Sequence, residues 1–162
     1  MRLPGLVAEW DALRLLRDAV NKGIEQARNA KAIGASLEAH VTVASDEPAL
    51  AAALTKYAAA DNAVDELRYI LLTSGVTVAA SADEVAAAGT LASLTDEAAK
   101  ATIGIATAAG TKCERCWNYE TSVGTTGDYP GTCSRCGAAL AAMNFPAVTL
   151  TPAPAPEAAA AA

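Results

Sequence analysis

Four cysteines, and no others, occur in the chain, as Cys113-Glu-Arg-Cys116 and Cys133-Ser-Arg-Cys136, two CxxC pairs with 16 residues between them. A CxxC turn lets two thiolates converge on one ion, with backbone amides nearby to offset their charge. Two such turns complete a tetrahedral four-sulfur shell, the donor set of a structural Zn²⁺ site. Cys113, Cys116, Cys133 and Cys136 are therefore the candidate metal ligands, and one structural Zn²⁺ the candidate cofactor. Gly124, Gly127, Pro130 and Gly131 supply turns that let the intervening loop fold back. Two disulfides are the first rival reading, but bridging within CxxC is strained. An iron–sulfur or redox centre is the second. Four thiolates leave no open position for a reacting water, so the zinc reading is structural and not hydrolytic.

Composition explains why a metal would matter. Hydrophobic residues make up 52% of the 162, but 42 of them are Ala, and large anchors are scarce: one Phe, two Trp and four Tyr. Apolar stabilisation scales with buried area, roughly 25 cal/mol per Å². The core should be thin and built from Leu, Val and Ile. Structural zinc, which contributes on the order of 10 kcal/mol of coupled binding and folding free energy, would offset that thinness.

Several classes are set aside by pattern. No charge-free apolar run reaches the length of a membrane span. Met1 to Trp10 lacks the basic start and apolar stretch of a secretory signal, so a cytoplasmic, thiol-reducing setting is expected. No glycine-rich phosphate loop occurs, and no set of residues is spaced for nucleophilic catalysis, so no catalytic residue is assigned. His40, the one histidine, reads as a surface residue, and the adjacent Asp46 and Glu47 as helix-start chemistry. The net charge of −6 is uneven. Residues 1–31 carry six basic and four acidic groups, residues 32–110 three and ten, and residues 111–137 three of each. A polyanion would meet the first or the third of these segments, not the acidic middle.

Along the chain, residues 8–31 read as an amphipathic helix. Trp10, Leu13, Leu16, Val20, Ile24 and Ala27 recur at spacings of three and four, with Leu15 and Ala19 widening the stripe. So broad a stripe predicts a partner helix from outside this chain, and Gly34 is the expected stop. Residues 36–44 alternate as a strand, with Leu37, Ala39, Val41 and Val43 inward and Glu38, His40 and Thr42 outward. Asp46-Glu47-Pro48 opens a second helix that buries Leu50, Leu54 and Tyr57 and runs to about Ala60. A turn bearing Val64 follows, then short apolar runs at 69–73 and 76–80 about a turn at Ser74-Gly75. Residues 81–101 are Ala-rich and acidic, read as a helix or a loose insertion, and residues 102–107 as the last strand. Residues 141–162, ending in alternating Pro-Ala and five alanines, read as a disordered tail. The fold class is α+β: an N-terminal amphipathic helix, a small mixed α/β module (34–110), a four-cysteine zinc knuckle (111–140) and the Ala/Pro tail.

Lys112, Arg115, Trp117, Tyr119 and Arg135 surround the cysteines. Cations beside an aromatic face suit a phosphate backbone and a stacked base. Trp117 reads equally as a cover for the metal site. Arg115 and Arg135 read either as RNA contacts or as offsets to thiolate charge.

The segment Lys112-Cys-Glu-Arg-Cys-Trp117 resembles the C-terminal zinc segment of bacterial isoleucyl-tRNA synthetases. Three upstream blocks are similar to the same region in the same order: Val20-Asn-Lys-Gly-Ile-Glu-Gln-Ala-Arg28, Ile33-Gly-Ala-Ser-Leu-Glu-Ala39 and Glu66-Leu-Arg-Tyr-Ile-Leu-Leu-Thr-Ser74. The resemblance spans about residues 8 to 137. It implies that residues 1–33 end a helical anticodon-binding domain and that the segment holds the anticodon side of isoleucine tRNA for ATP-dependent aminoacylation by upstream synthetase domains. It implies RNA contacts at Lys112, Arg115, Trp117 and Arg135, and weaker ones at Arg14, Arg17, Lys22 and Arg28 on the first helix. No aminoacylation is assigned to this chain alone, and neither a membrane nor DNA is an expected partner. Where the family continues with a basic stretch after the last cysteine, Gly137 to Phe145 holds no Lys or Arg. Two rival functions follow. One is a structural or protein-binding zinc module without RNA binding. The other is the finger of a formamidopyrimidine-DNA glycosylase, which needs a proline–glutamate start and a finger arginine. Here Gly5 follows Pro4, and residues 117–132 contain no arginine.

Overall fold

A computed structural model describes residues 4–58 and 66–147. Helix α1 (Pro4–Asn29) follows from the 3.6-residue spacing of its apolar side chains. It ends before Gly34. Lys31 takes a left-handed φ of 58°, Ala32 N–H donates to Ala27 O and Lys31 N–H to Arg28 O. Those two bonds form a Schellman cap, built here on a lysine in place of the expected glycine. Gly34 N–H donates instead to Glu38 Oε2.

A single turn of 3₁₀ helix (Ser36–Glu38) replaces the start of the expected strand, and β1 runs Ala39–Ala44. Helix α2 (Pro48–Ala58) begins at the expected proline and buries Leu50 and Leu54. The expected end of that helix near Ala60 and the turn at Val64 lie outside the described residues. The apolar run at 69–73 divides between α3 (Glu66–Leu71) and the turn after it, and β2 is Gly75–Val78. The Ala-rich stretch resolves into helix α4 (Ala82–Ala88), capped by Ser81 Oγ accepting from Glu84 N–H, and strand β3 (Ala92–Asp96). Strand β4 is Ala101–Thr107.

These strands form one sheet in the order β2-β1-β4-β3. The pair β1–β2 is parallel, joined through α2 and α3, while β4 runs antiparallel to both β1 and β3. Val41 lies opposite Ile105 and Val43 opposite Ile103, and all four are fully buried. Leu13, Leu16, Val20 and Ile24 of α1 share their core with Val41, Ile103 and Ile105. The stripe on α1 thus finds its cover within this chain, from the sheet and α2, and not from the outside partner helix that its breadth predicts. The helix lies so close that a Cβ on Gly23 would stand 2.9 Å from Ile105 Cγ1. Trp10 and Leu15, read as part of the stripe, are 42% and 44% exposed.

Thr42, expected outward, is buried. It pairs with Gly104, and a Cβ on Gly104 would stand 2.6 Å from Val85 O of α4. Helix α4 therefore lies on the second face of the sheet and hides one of the polar positions of β1. His40 is half-buried on that strand, with Nε2 2.8 Å from Thr77 Oγ1.

Strands β5 (Thr111–Lys112) and β6 (Tyr119–Glu120) and helix α5 (Ser134–Ala142) build the C-terminal unit. Residues 141–147, read as tail, finish α5 and turn back onto it, and Tyr129 Oη donates to Phe145 O at 2.6 Å. The remainder of the expected tail, 148–162, lies outside the described residues. No helix among the described residues is long and apolar enough to cross a membrane.

Candidate metal centre and the basic face beside it

The first CxxC turn hangs on the β5–β6 hairpin. Cys113 N–H donates to Asn118 O, and Trp117 N–H returns to Cys113 O, both at 2.8 Å. Closing that turn requires Trp117 in the left-handed region, at φ 67°. The second pair starts a helix: Cys133 is the N-cap of α5 and Cys136 lies in its first turn. Gly137 admits Thr126 from the intervening loop, where any Cβ would stand 2.5 Å from Thr126 Cγ2.

All four Sγ atoms lie within 4.8 Å of one another. Cys116 Sγ and Cys133 Sγ are 3.9 Å apart. A tetrahedral zinc with Zn–S bonds of about 2.3 Å places its sulfurs about 3.8 Å apart. The cluster fits one structural zinc ion, and the cysteines are free, not paired as disulfides. When bound, the ion ties two turns together and takes up thiolate charge. Three of the four cysteines are buried. Burial opposes ionisation of Cys113, but the backbone N–H groups of Cys116, Cys133 and Arg115 outweigh it and hold its pKa at about 6. Burial pushes Cys133 up to about 12, helped by its sulfur neighbours, and also raises Cys116. Four thiols packed within 4.8 Å of one another ionise together only with a cation at their centre.

Hydrogen bonds from Arg68 and Ser74 lock the knuckle to the sheet module. Arg68 Nη1 of α3 lies 2.5 Å from Glu120 Oε1. Ser74 Oγ donates to Leu37 O and accepts from Tyr119 N–H, the latter at 2.7 Å.

The residues named as RNA contacts fall into distinct settings. Trp117 is 59% exposed, with Lys112 Nζ 4.9 Å from its ring centroid. Arg115 Nη1 lies 3.7 Å from Cys136 Sγ. Arg135 faces Tyr69, its guanidinium carbon 5.8 Å from the ring centroid, and feels the charge of Cys136 and Cys116. On α1, Lys22 is held by Asp96 at 2.6 Å and Arg28 by Glu25 at 2.7 Å. Arg14 and Arg17 instead line a groove that also contains Trp10 and Tyr69. Tyr69 was not singled out from sequence. Its neighbour Arg135 is distant along the chain, and only folding brings the two together.

A four-thiolate knuckle packed on a small α+β module defines a structural zinc finger, and residues 110–137 match the family described as "Zinc finger found in FPG and IleRS". The chain is 42% identical over 141 residues to the isoleucine–tRNA ligase of Rippkaea orientalis, covering 85% of this chain and 14% of that enzyme. It is 45% identical over 139 residues to the ligase of Nostoc sp., with the same coverage. Against the chloroplastic/mitochondrial ligase of Arabidopsis thaliana it is 39% identical over 135 residues, covering 82% of this chain and 12% of the enzyme. The chain is a homologue of a segment of the isoleucine–tRNA ligases and carries their zinc module; it spans about one seventh of the length of the curated relatives it matches.

Proposed function

We propose that this segment is a tRNA-binding element of an isoleucine–tRNA ligase, holding the anticodon side of the tRNA while other domains join isoleucine to it with ATP. In this reading residues 1–33 belong to the end of the anticodon-binding domain, 34–110 form a supporting module and 111–140 the zinc knuckle. The protein works in the cytoplasm, where thiols stay reduced. The observation that carries the reading is Trp117. A large aromatic ring is 59% exposed on a turn fixed by the metal ligands, with the Lys112 ammonium at its face. A ring that served only to cover the cluster would be buried. An exposed ring with a cation beside it offers a base a stacking surface and a phosphate a charge. Arg115 and Arg135 add positive charge around the cluster.

The test is the affinity of the chain for an isoleucine tRNA transcript over a range of salt concentrations. Removing a phosphate-binding cation flattens the dependence of log K on log salt, by roughly 0.7 to 0.9 per contact. Arg115→Ala and Arg135→Ala should each do so, while Trp117→Ala should weaken binding without changing the slope. A second reading, a protein-binding zinc module, is favoured by the absence of Lys and Arg from Gly137 to Phe145. Equal affinity of all three variants would select it.

A further inference from the structure

Helix α1 carries Trp10, Leu13, Arg14 and Arg17 on one face, at the spacings of adjacent helical turns. Opposite them lie Tyr69 and Ile70 of α3, and a groove of about 330 Å³ opens between. That volume sits at the small end of ligand pockets, which run about 300–1,000 Å³. Its floor is Leu13, fully buried, and its walls are two aromatic rings, Trp10 at 42% and Tyr69 at 41% exposed. Trp10 is braced from behind by Tyr57, ring centroids 6.1 Å apart. Two guanidinium groups lie near the Tyr69 ring, Arg68 at 5.1 Å and Arg135 at 5.8 Å from its centroid.

The rim is positive although the chain is negative. Arg17 has no ion pair among the described residues, and Arg14 has only a loose contact of 3.7 Å to the exposed Asp11. An apolar slot between aromatic rings, edged by guanidinium groups, matches a nucleotide: a flat heterocycle to bury and an anion to neutralise. The apolar face of a protein helix would bring nothing to meet the arginines. Arg135 of the knuckle stands beside the Tyr69 wall of this groove and also feels the charge of Cys136 and Cys116.

We propose that this groove is a second RNA contact, in which an unstacked base lies against Tyr69 and Trp10 while its flanking phosphates meet Arg14 and Arg17. The RNA path then extends from Trp117 past Arg135 to helix α1. The inference rests on the RNA-binding reading above and deepens it.

The experiment uses the full, zinc-loaded chain and a fluorescently labelled isoleucine tRNA transcript, with zinc content and thermal unfolding as controls for folding. Base–aromatic stacking sets the expected size: Tyr69→Leu and Trp10→Leu should each weaken binding about five- to fiftyfold, with Tyr69→Phe close to the parent. Arg17→Gln should reduce the salt slope by roughly 0.7 to 0.9. If Tyr69→Leu weakens binding while Trp10→Leu and Arg17→Gln do not, Tyr69 acts only by holding Arg135, and the groove is not a site. If Trp117→Ala weakens binding while all the groove variants match the parent, the RNA reading stands and this inference falls. If the parent chain binds no tRNA, both fall together.

Discussion

Arg68 Nη1 lies 2.5 Å from Glu120 Oε1, and this contact joins α3 of the sheet module to the strand that closes the first CxxC turn. The Arg68 side chain is only 10% exposed. Burial works against its charge, but Glu120 and Tyr69 more than offset that, leaving its pKa raised. Removing one partner leaves a charge in a poorly hydrated place. Glu120→Gln should therefore cost about 1–3 kcal/mol in urea unfolding, less than for a wholly buried pair because Glu120 is 27% exposed. Pairing Glu120→Leu with Arg68→Met should recover part of that loss. A double variant as unstable as the sum of its parts would show that the two residues act independently.

The cysteine cluster predicts one zinc per chain by elemental analysis. Chelation should release protection from hydrogen exchange first in residues 111–137, whose small core is made of Cys113, Cys133, Cys136 and their neighbours. The amides of β1 and β4, held by the separate core of α1 and the sheet, should keep theirs. Cys133→Ser should reproduce the chelated pattern. Loss of protection in β1 at the same rate as in the knuckle would mean that the zinc holds the whole chain, not one unit.

What could be read from the sequence depended on how local its cause was. The four-cysteine cluster was legible because CxxC spacing is a short-range constraint on two thiolates. Helix α1 was legible because its stripe repeats within the helix itself. Strand β3 was not, because Ala92-Ser-Leu-Thr-Asp96 carries little apolar pattern of its own and owes its form to backbone pairing with β4. The burial of Thr42 depends on α4 crossing the second face, and the availability of Lys22 on Asp96, which stands far along the chain. Helix α5 is not legible in the same way, because its start is set by the second CxxC turn, whose cysteines carry a ligand pattern and no helical one. In the basic face, the residue types were visible but their pairing was not. Lys22 and Arg28 are engaged within the chain, whereas Arg14 and Arg17 border the groove.

Asp96 gives the chain a pH-dependent contribution to stability. Lys22 Nζ lies 2.6 Å from Oδ2, and the N–H groups of Ala99 and Ala98 donate to Oδ1 at 3.0 and 3.1 Å. Lys22 first, then these amides, hold its carboxyl below the usual carboxylate range. A depressed folded pKa means the unfolded chain binds the proton more readily. The contribution is then complete above the unfolded value of about 3.9 and disappears as pH falls through the folded one. Asp96→Asn should be less stable than the parent near about pH 7, and the gap should shrink below about pH 4. Urea unfolding at the two pH values checks this. Acid release of zinc affects both proteins and cancels in the difference. A gap that stays constant across the range would mean that the ion pair contributes nothing through its charge.

Leu15 and Leu16 separate the part of the α1 stripe that folds the chain from the part that does not. They are adjacent and chemically identical, yet Leu16 is fully buried against the sheet core and Leu15 is 44% exposed. Sequence periodicity alone placed both in the stripe. Leu16→Ala should cost about 2–5 kcal/mol, the range for a leucine truncated in a packed interior. Leu15→Ala should stay within about 0.5 kcal/mol of the parent, since it leaves no cavity and alanine favours the helix. Unfolding curves of the two variants in the isolated chain provide the check. Should Leu15→Ala prove as costly as Leu16→Ala, the exposed side of α1 must be covered in solution, and light scattering would then reveal a chain that is not monomeric.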